Sequence, residues 1–110
     1  MHVEFEDQRL RRLVADERRL LKAFGEKRSQ RLKVRVMQLR SVACVSDLVP
    51  LPGRWHELTS TFAEHWSADL DHPYRLLIRP AEPVVRKPDG GVDWHAVTSI
   101  VVLGIRDTHQ

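Results

Sequence analysis

The chain has 110 residues, 42% of them apolar and 30% charged, with a formal net charge of +3 and one cysteine, Cys44. That length supplies one modest core, and the composition excludes a disordered chain. A lone cysteine excludes an intramolecular disulfide and a cysteine-based metal cluster, and no run of about 18 apolar residues is present to span a bilayer.

His2 to Glu6 alternate, with Val3 and Phe5 on one side, as expected for a short edge strand buried on one face. From Asp7 to Phe24 the residues Leu10, Leu13, Val14, Leu20, Leu21 and Phe24 are spaced for one helical face, with Arg11, Arg12, Arg18, Arg19 and Lys22 opposite. Asp7 suits the N-cap, and Gly25 suits the stop. A second helix is predicted over Glu26 to Cys44 from Leu32, Val36, Leu39 and Ala43, giving a helical hairpin. Pro50, Pro52 and Gly53 then make Val45 to Arg54 a connector.

The second half reads as strands. Trp55 to Thr59, His65 to Leu70 and Tyr74 to Arg79 are short β-prone stretches, the last two joined by the turn Asp71-His72-Pro73. Pro80 to His95, with Pro83, Pro88, Gly90 and Gly91, is expected to be a long mobile connection. Val97 to Ile105 is almost continuously apolar, as a strand buried on both faces in the middle of a sheet would be. The order predicts an α+β fold, with an N-terminal strand and a helical hairpin packed on a small, mostly antiparallel twisted sheet, in a single domain, residues 1–110.

Charge is divided unequally. Residues 1–54 hold 13 Lys and Arg against 7 Asp and Glu, and residues 55–110 hold 5 against 8. A basic N-terminal half suits a polyanion, and an acidic protein partner would be attracted equally. The N-terminus lacks the apolar stretch of a secretory signal, so the expected compartment is the cytoplasm, with no membrane partner.

Three segments carry a resemblance to a known family. The first is Pro52-Gly53-Arg54-Trp55-His56-Glu57-Leu58, similar to a Gly-x-Arg-x-His-x-Leu pattern. The second joins His65-Trp66-Ser67-Ala68-Asp69-Leu70 to Pro73-Tyr74-Arg75-Leu76, similar to an aromatic-Ser pair followed by an aromatic-Arg-aliphatic run. The third joins Gly90-Gly91-Val92-Asp93-Trp94 to Asp107-Thr108-His109, where the family usually reads Asp-Tyr-His. In this order they resemble a HigB-type toxin of the RelE/ParE superfamily. The resemblance implies a type II toxin that cleaves messenger RNA on the ribosome without a metal or other cofactor. It also implies an antitoxin partner with a helix-turn-helix domain of the HigA type. The free toxin is expected to be a monomer that becomes hetero-oligomeric with its antitoxin.

Metal-free RNA cleavage uses the neighbouring 2′-hydroxyl as nucleophile, so the protein supplies a base, an acid and positive charge. Histidine fills either proton-transfer role near neutral pH, and the arginine fork donates two hydrogen bonds to phosphate. The resemblance assigns His56 and His109 as the proton-transfer pair, Asp107 as the group that orients a histidine, and Arg75 as the phosphate clamp. Arg54 is a second phosphate contact, Thr108 stands where the family has a tyrosine, and Trp55 or Trp66 is a candidate to stack on a base, although Trp66 and Trp94 read more readily as core or loop anchors. Taken alone, each histidine reads more readily as a surface residue than as a catalyst, and Arg75 as a solvated strand charge or salt-bridge partner.

Two departures separate this chain from the pattern. The family continues Lys-Gly-x-Arg after the first motif, where this chain has Thr59-Ser60-Thr61-Phe62, and Thr108 removes an aromatic phenol. These departures favour a catalytically weakened regulator acting through its antitoxin; a ParE-like toxin directed at gyrase, against which His56, Asp107 and His109 argue, and a plain nucleic-acid-binding domain using the Arg-rich first helix are further rivals.

Overall fold

The computed structural model describes residues 1–107. Strand β1 is His2–Phe5. Helix α1, Gln8–Val14, starts at the expected cap, where the Asp7 carboxylate accepts from the backbone N–H of Arg9 at 2.8 Å and of Leu10 at 3.3 Å. Here the structure departs from the single helix expected to Phe24. Ala15 ends α1, and the Asp16 carboxylate caps a new helix by accepting from the Arg19 N–H at 3.2 Å. A second Asp N-cap inside the apolar pattern restarts the helix and shifts its face, which leaves Leu21 49% exposed while Leu20 is fully buried.

Helix α2, Glu17–Ser41, contains the expected stop at Gly25, whose φ of 80° and ψ of 172° are not helical. A straight helix would hold residues 17 and 33 about 24 Å apart. Instead Lys33 and Glu17 form an ion pair, so Gly25 folds α2 back on itself as the predicted hairpin. No Cβ could adopt that backbone without strain. The helix ends at Ser41, short of the expected Cys44, because Val42 is extended.

The remaining strands are β2, His56–Glu57, β3, Trp66–Asp69, β4, Arg75–Pro80, and β5, Ser99–Arg106. They form one five-stranded sheet in the order β1-β5-β4-β3-β2, with β1 parallel to β5 and the other pairs antiparallel. The sheet is mostly antiparallel, as expected, and β1 is an edge. β5 is interior, flanked by β1 and β4, although the central strand is β4. β2 stops short of Thr59 because Ser60–Phe62 turn into a 3-10 helix with Ser60 at φ 57°.

Alternation decides the layers. Trp66, Ala68, Leu76, Ile78, Ile100 and Val102 meet Leu10, Leu20, Leu32, Val36 and Leu39 of the helices in one core. The connection expected to be mobile is instead folded onto the body. Arg86 bridges to Val92, its guanidinium holds Glu64 at 2.8 and 3.0 Å, and Trp94 packs edge-on against Trp66 at 5.5 Å. None of the helices among the described residues is long and apolar enough to cross a membrane.

Candidate functional site

Residues directly opposite in paired strands share a face, and so do residues two apart in one strand. His56 pairs with Ser67, and Ser67 with Leu77. One step along, Asp69 pairs with Arg75, and Arg75 with Arg106. These two rows therefore lie on the same face, the one turned away from the helices. Arg54 adjoins the second row, with its Nη1 3.7 Å from Asp69 Oδ2, while Arg75 Nε lies 3.3 Å from Asp69 Oδ1. The row reads Arg54, Asp69, Arg75, Arg106, with one carboxylate among three guanidinium groups.

Local backbone chemistry brings Arg54 there. Gly53 has φ 112° and Arg54 φ 56°, a sharp entry into β2 that ordinary residues resist. A Cβ on Gly53 would stand 2.5 Å from the Arg35 guanidinium carbon and displace that side chain, on a backbone conformation that itself strains any residue but glycine. Arg35 donates to the Asp69 carbonyl at 2.8 Å and the Pro52 carbonyl at 3.2 Å. Burial draws Arg35 below the ordinary arginine pKa, and the charge of Asp69 opposes that shift.

His56 has a defined tautomer. Its Nδ1 lies 2.6 Å from the Arg54 carbonyl oxygen, which can only accept, so Nδ1 carries the hydrogen. In the neutral ring Nε2 then holds the lone pair, as a general base requires. By sheet geometry, the Cα atoms of His56 and Arg75 are roughly 12 Å apart, two strands over and two residues along. Both side chains rise from that face, with the buried Ser67 and Leu77 in the row between them.

The structure thus places His56, Arg54 and Arg75 on one face. Asp107 directly follows β5. His109 and Thr108 lie outside the described residues. Trp55 is 3% exposed, with its indole N–H donated to Gln38 Oε1 at 3.0 Å, which leaves little of its ring for the expected stacking, and Trp66, 6% exposed, is packed in the core as its rival reading has it. Both rings are core, because their apolar area outweighs the value of an exposed platform. The basic face of the helices also divides. Arg28, Arg31 and Arg35 are turned to the end of the β3–β4 hairpin, whereas Arg9, Arg11, Arg12, Arg18 and Arg19 are exposed.

Asp69, Arg31 and Arg35 were missed from sequence. The available signal was the spacing 28, 31, 35, one stripe along a helix, together with an acid in an otherwise apolar strand.

No protein-family model matches the chain, and no curated protein matches it. Solved structures do. The YoeB/ParE toxin from Agrobacterium tumefaciens is 10% identical with a TM-score of 0.59, over 99% of this chain and 100% of that one. A YoeB-YefM complex from Staphylococcus aureus is 13% identical with a TM-score of 0.56, over 100% of this chain and 98% of that one. A heterotetrameric YoeB-YefM toxin-antitoxin complex from the same organism is 13% identical with a TM-score of 0.55, over 100% and 98%. These likenesses show that the chain has the RelE/ParE-like α+β fold.

Proposed function

We propose that this protein is the toxin of a type II toxin-antitoxin pair, of the HigB subtype in the RelE/ParE superfamily, and that it cleaves messenger RNA on the ribosome. The observation that carries the reading is His56, fixed through Nδ1 on the Arg54 carbonyl and sharing a sheet face with Arg75. The shared fold and the three motifs support it.

In this reading His56 Nε2 takes the proton from the 2′-hydroxyl, and the oxygen attacks phosphorus. Arg75, with Arg54 beside it, carries the charge that builds on the phosphorane oxygens. His109 protonates the departing 5′-oxygen, with Asp107 favouring its imidazolium. The products are a 2′,3′-cyclic phosphate and a 5′-hydroxyl end. The chain's own groups supply each proton movement, so the proposed reaction uses no metal or other cofactor.

The antitoxin is proposed as a helix-turn-helix protein of the HigA type that covers part of the exposed arginine surface of α1 and the first half of α2. The free toxin is then a monomer of the cytoplasm. A second reading, a toxin fold retained mainly for antitoxin binding, is favoured by Thr59-Ser60-Thr61-Phe62, which bring no cation beside His56.

Primer extension on mRNA from ribosomes programmed in vitro tests the proposal. Purified protein is expected to create new 5′-hydroxyl ends inside the ribosomal footprint. Intact mRNA at saturating protein would leave the antitoxin-binding reading.

A further inference from the structure

The turn end of the β3–β4 hairpin holds a recess of about 250 Å³ lined by Arg31, Arg54, Asp69, His72, Tyr74 and Arg75. Among the described residues that line it, three guanidinium groups face one carboxylate; Arg54 and Arg75 are shared with the phosphate at His56, and Arg31 is the cation the recess adds. Asp69 is shared between Arg54 and Arg75. The nearby Asp71 adds little net negative charge, because both its oxygens are engaged by Arg28 at 2.8 and 3.0 Å.

Arg31 enters from α2, not from the sheet. Its Nη1 donates to the Leu70 carbonyl at 3.0 Å, which among the described residues engages one of its five N–H donors. A guanidinium held at one corner with donors to spare is suited to phosphate, which it meets with two parallel hydrogen bonds.

We propose that this recess is a second phosphodiester subsite for single-stranded RNA, with Arg31 as its inner wall. This rests on the RNA-cleavage reading and adds to it the contact to the neighbouring phosphate. Continuity favours a strand over a free anion. The Arg54 carbonyl fixes His56 while the Arg54 side chain lines the recess, and the rows of His56 and Asp69 stand about 7 Å apart. One nucleotide of an extended strand covers that step, so a strand with one phosphate at His56 presents the next to the recess.

The test is an NMR titration of the labelled full chain with a short 2′-O-methyl RNA, which cannot be cleaved. The Nε–H resonances of Arg31, Arg54 and Arg75 are expected to shift together, while that of Arg12 on α1 stays still. Arg31→Gln is expected to weaken binding at least three-fold and to lower the salt slope by about 0.7, the value for one phosphate contact on a single strand. A stationary Arg31 resonance while Arg54 and Arg75 move, or unchanged affinity in Arg31→Gln, would overturn the subsite. If Arg31→Gln does not fold, the wild-type Arg31 resonance decides: movement supports the subsite, stillness overturns it. Because the strand is uncleavable, the titration reads the recess whether or not mRNA is cut.

Discussion

Arg28 and Asp71 form a two-pronged pair, Nε to Oδ1 at 2.8 Å and Nη2 to Oδ2 at 3.0 Å, and the same guanidinium lies 4.2 Å from the centre of the Tyr74 ring. The pair ties α2 to the turn between β3 and β4, the turn that sets Asp69 and Arg75 opposite each other. Removing it in Arg28→Ala is expected to cost about 1–3 kcal/mol in urea denaturation, combining a bidentate pair with a cation-π contact. Wild-type stability in that variant would show that the turn is held by its backbone alone.

The same pair has a pH signature. The hydrogen bonds from Arg28 hold the Asp71 carboxyl below the usual carboxylate range, against the opposing effect of burial. A depressed acid contributes its stability in full above its unfolded pKa of about 3.9 and loses it as pH falls through the lower folded value. Stability measured from pH 6 down into the acid range should therefore fall less steeply in Arg28→Ala than in wild type. Parallel curves would count against the pair.

Gly53 is the hinge of the site. In Gly53→Ala the new Cβ meets the Arg35 guanidinium at 2.5–2.8 Å on a backbone at φ 112°. A loss of about 1–3 kcal/mol is expected. Because Arg35 also holds the Asp69 carbonyl, the backbone N–H signals of Asp69 and Leu70 should shift more than those of β1. An unperturbed hairpin would place the strain elsewhere.

Trp55→Phe separates packing from RNA contact. It keeps most of the buried area and removes the hydrogen bond to Gln38, so a loss of about 1 kcal/mol in stability is expected, with RNA affinity unchanged. A marked loss of RNA affinity with intact stability would restore the stacking role.

The His56 tautomer is directly observable. In the neutral ring, ¹⁵N shifts should show Nδ1 protonated and Nε2 bare, as the contact to the Arg54 carbonyl requires. The opposite tautomer would remove His56 as the base.

The fold was largely legible because apolar spacing and caps are local signals. Asp7, Gly25 and the apolar run of β5 each announced an element, and their registers follow from which face is buried. Asp16 competed with the apolar pattern and won, since a side-chain cap at the right place outweighs one more turn of a marginal helix. The site was legible only in pieces. His56, Arg54 and Arg75 stood in motifs, but Asp69, Arg31 and Arg35 become neighbours through strand register and a folded-back helix, which no short window of sequence contains. The burial of Trp55 likewise depends on Gln38, 17 residues away in the chain.

In the proposed reaction a base fixed at His56 acts with a phosphate clamp at Arg75 to cut translated mRNA. The most direct measurement is mapping of mRNA 5′ ends in cells after brief induction of the wild-type chain, His56→Gln and His109→Ala. Wild type is expected to arrest growth and to create new 5′ ends within reading frames. Each histidine variant should lower cleavage by about 10²-fold or more, the range of general acid-base catalysis, while still binding the antitoxin. Growth arrest without new mRNA ends, or equal cleavage by wild type and His56→Gln, would rule out His56-based cleavage and leave a gyrase-directed or binding-only toxin fold.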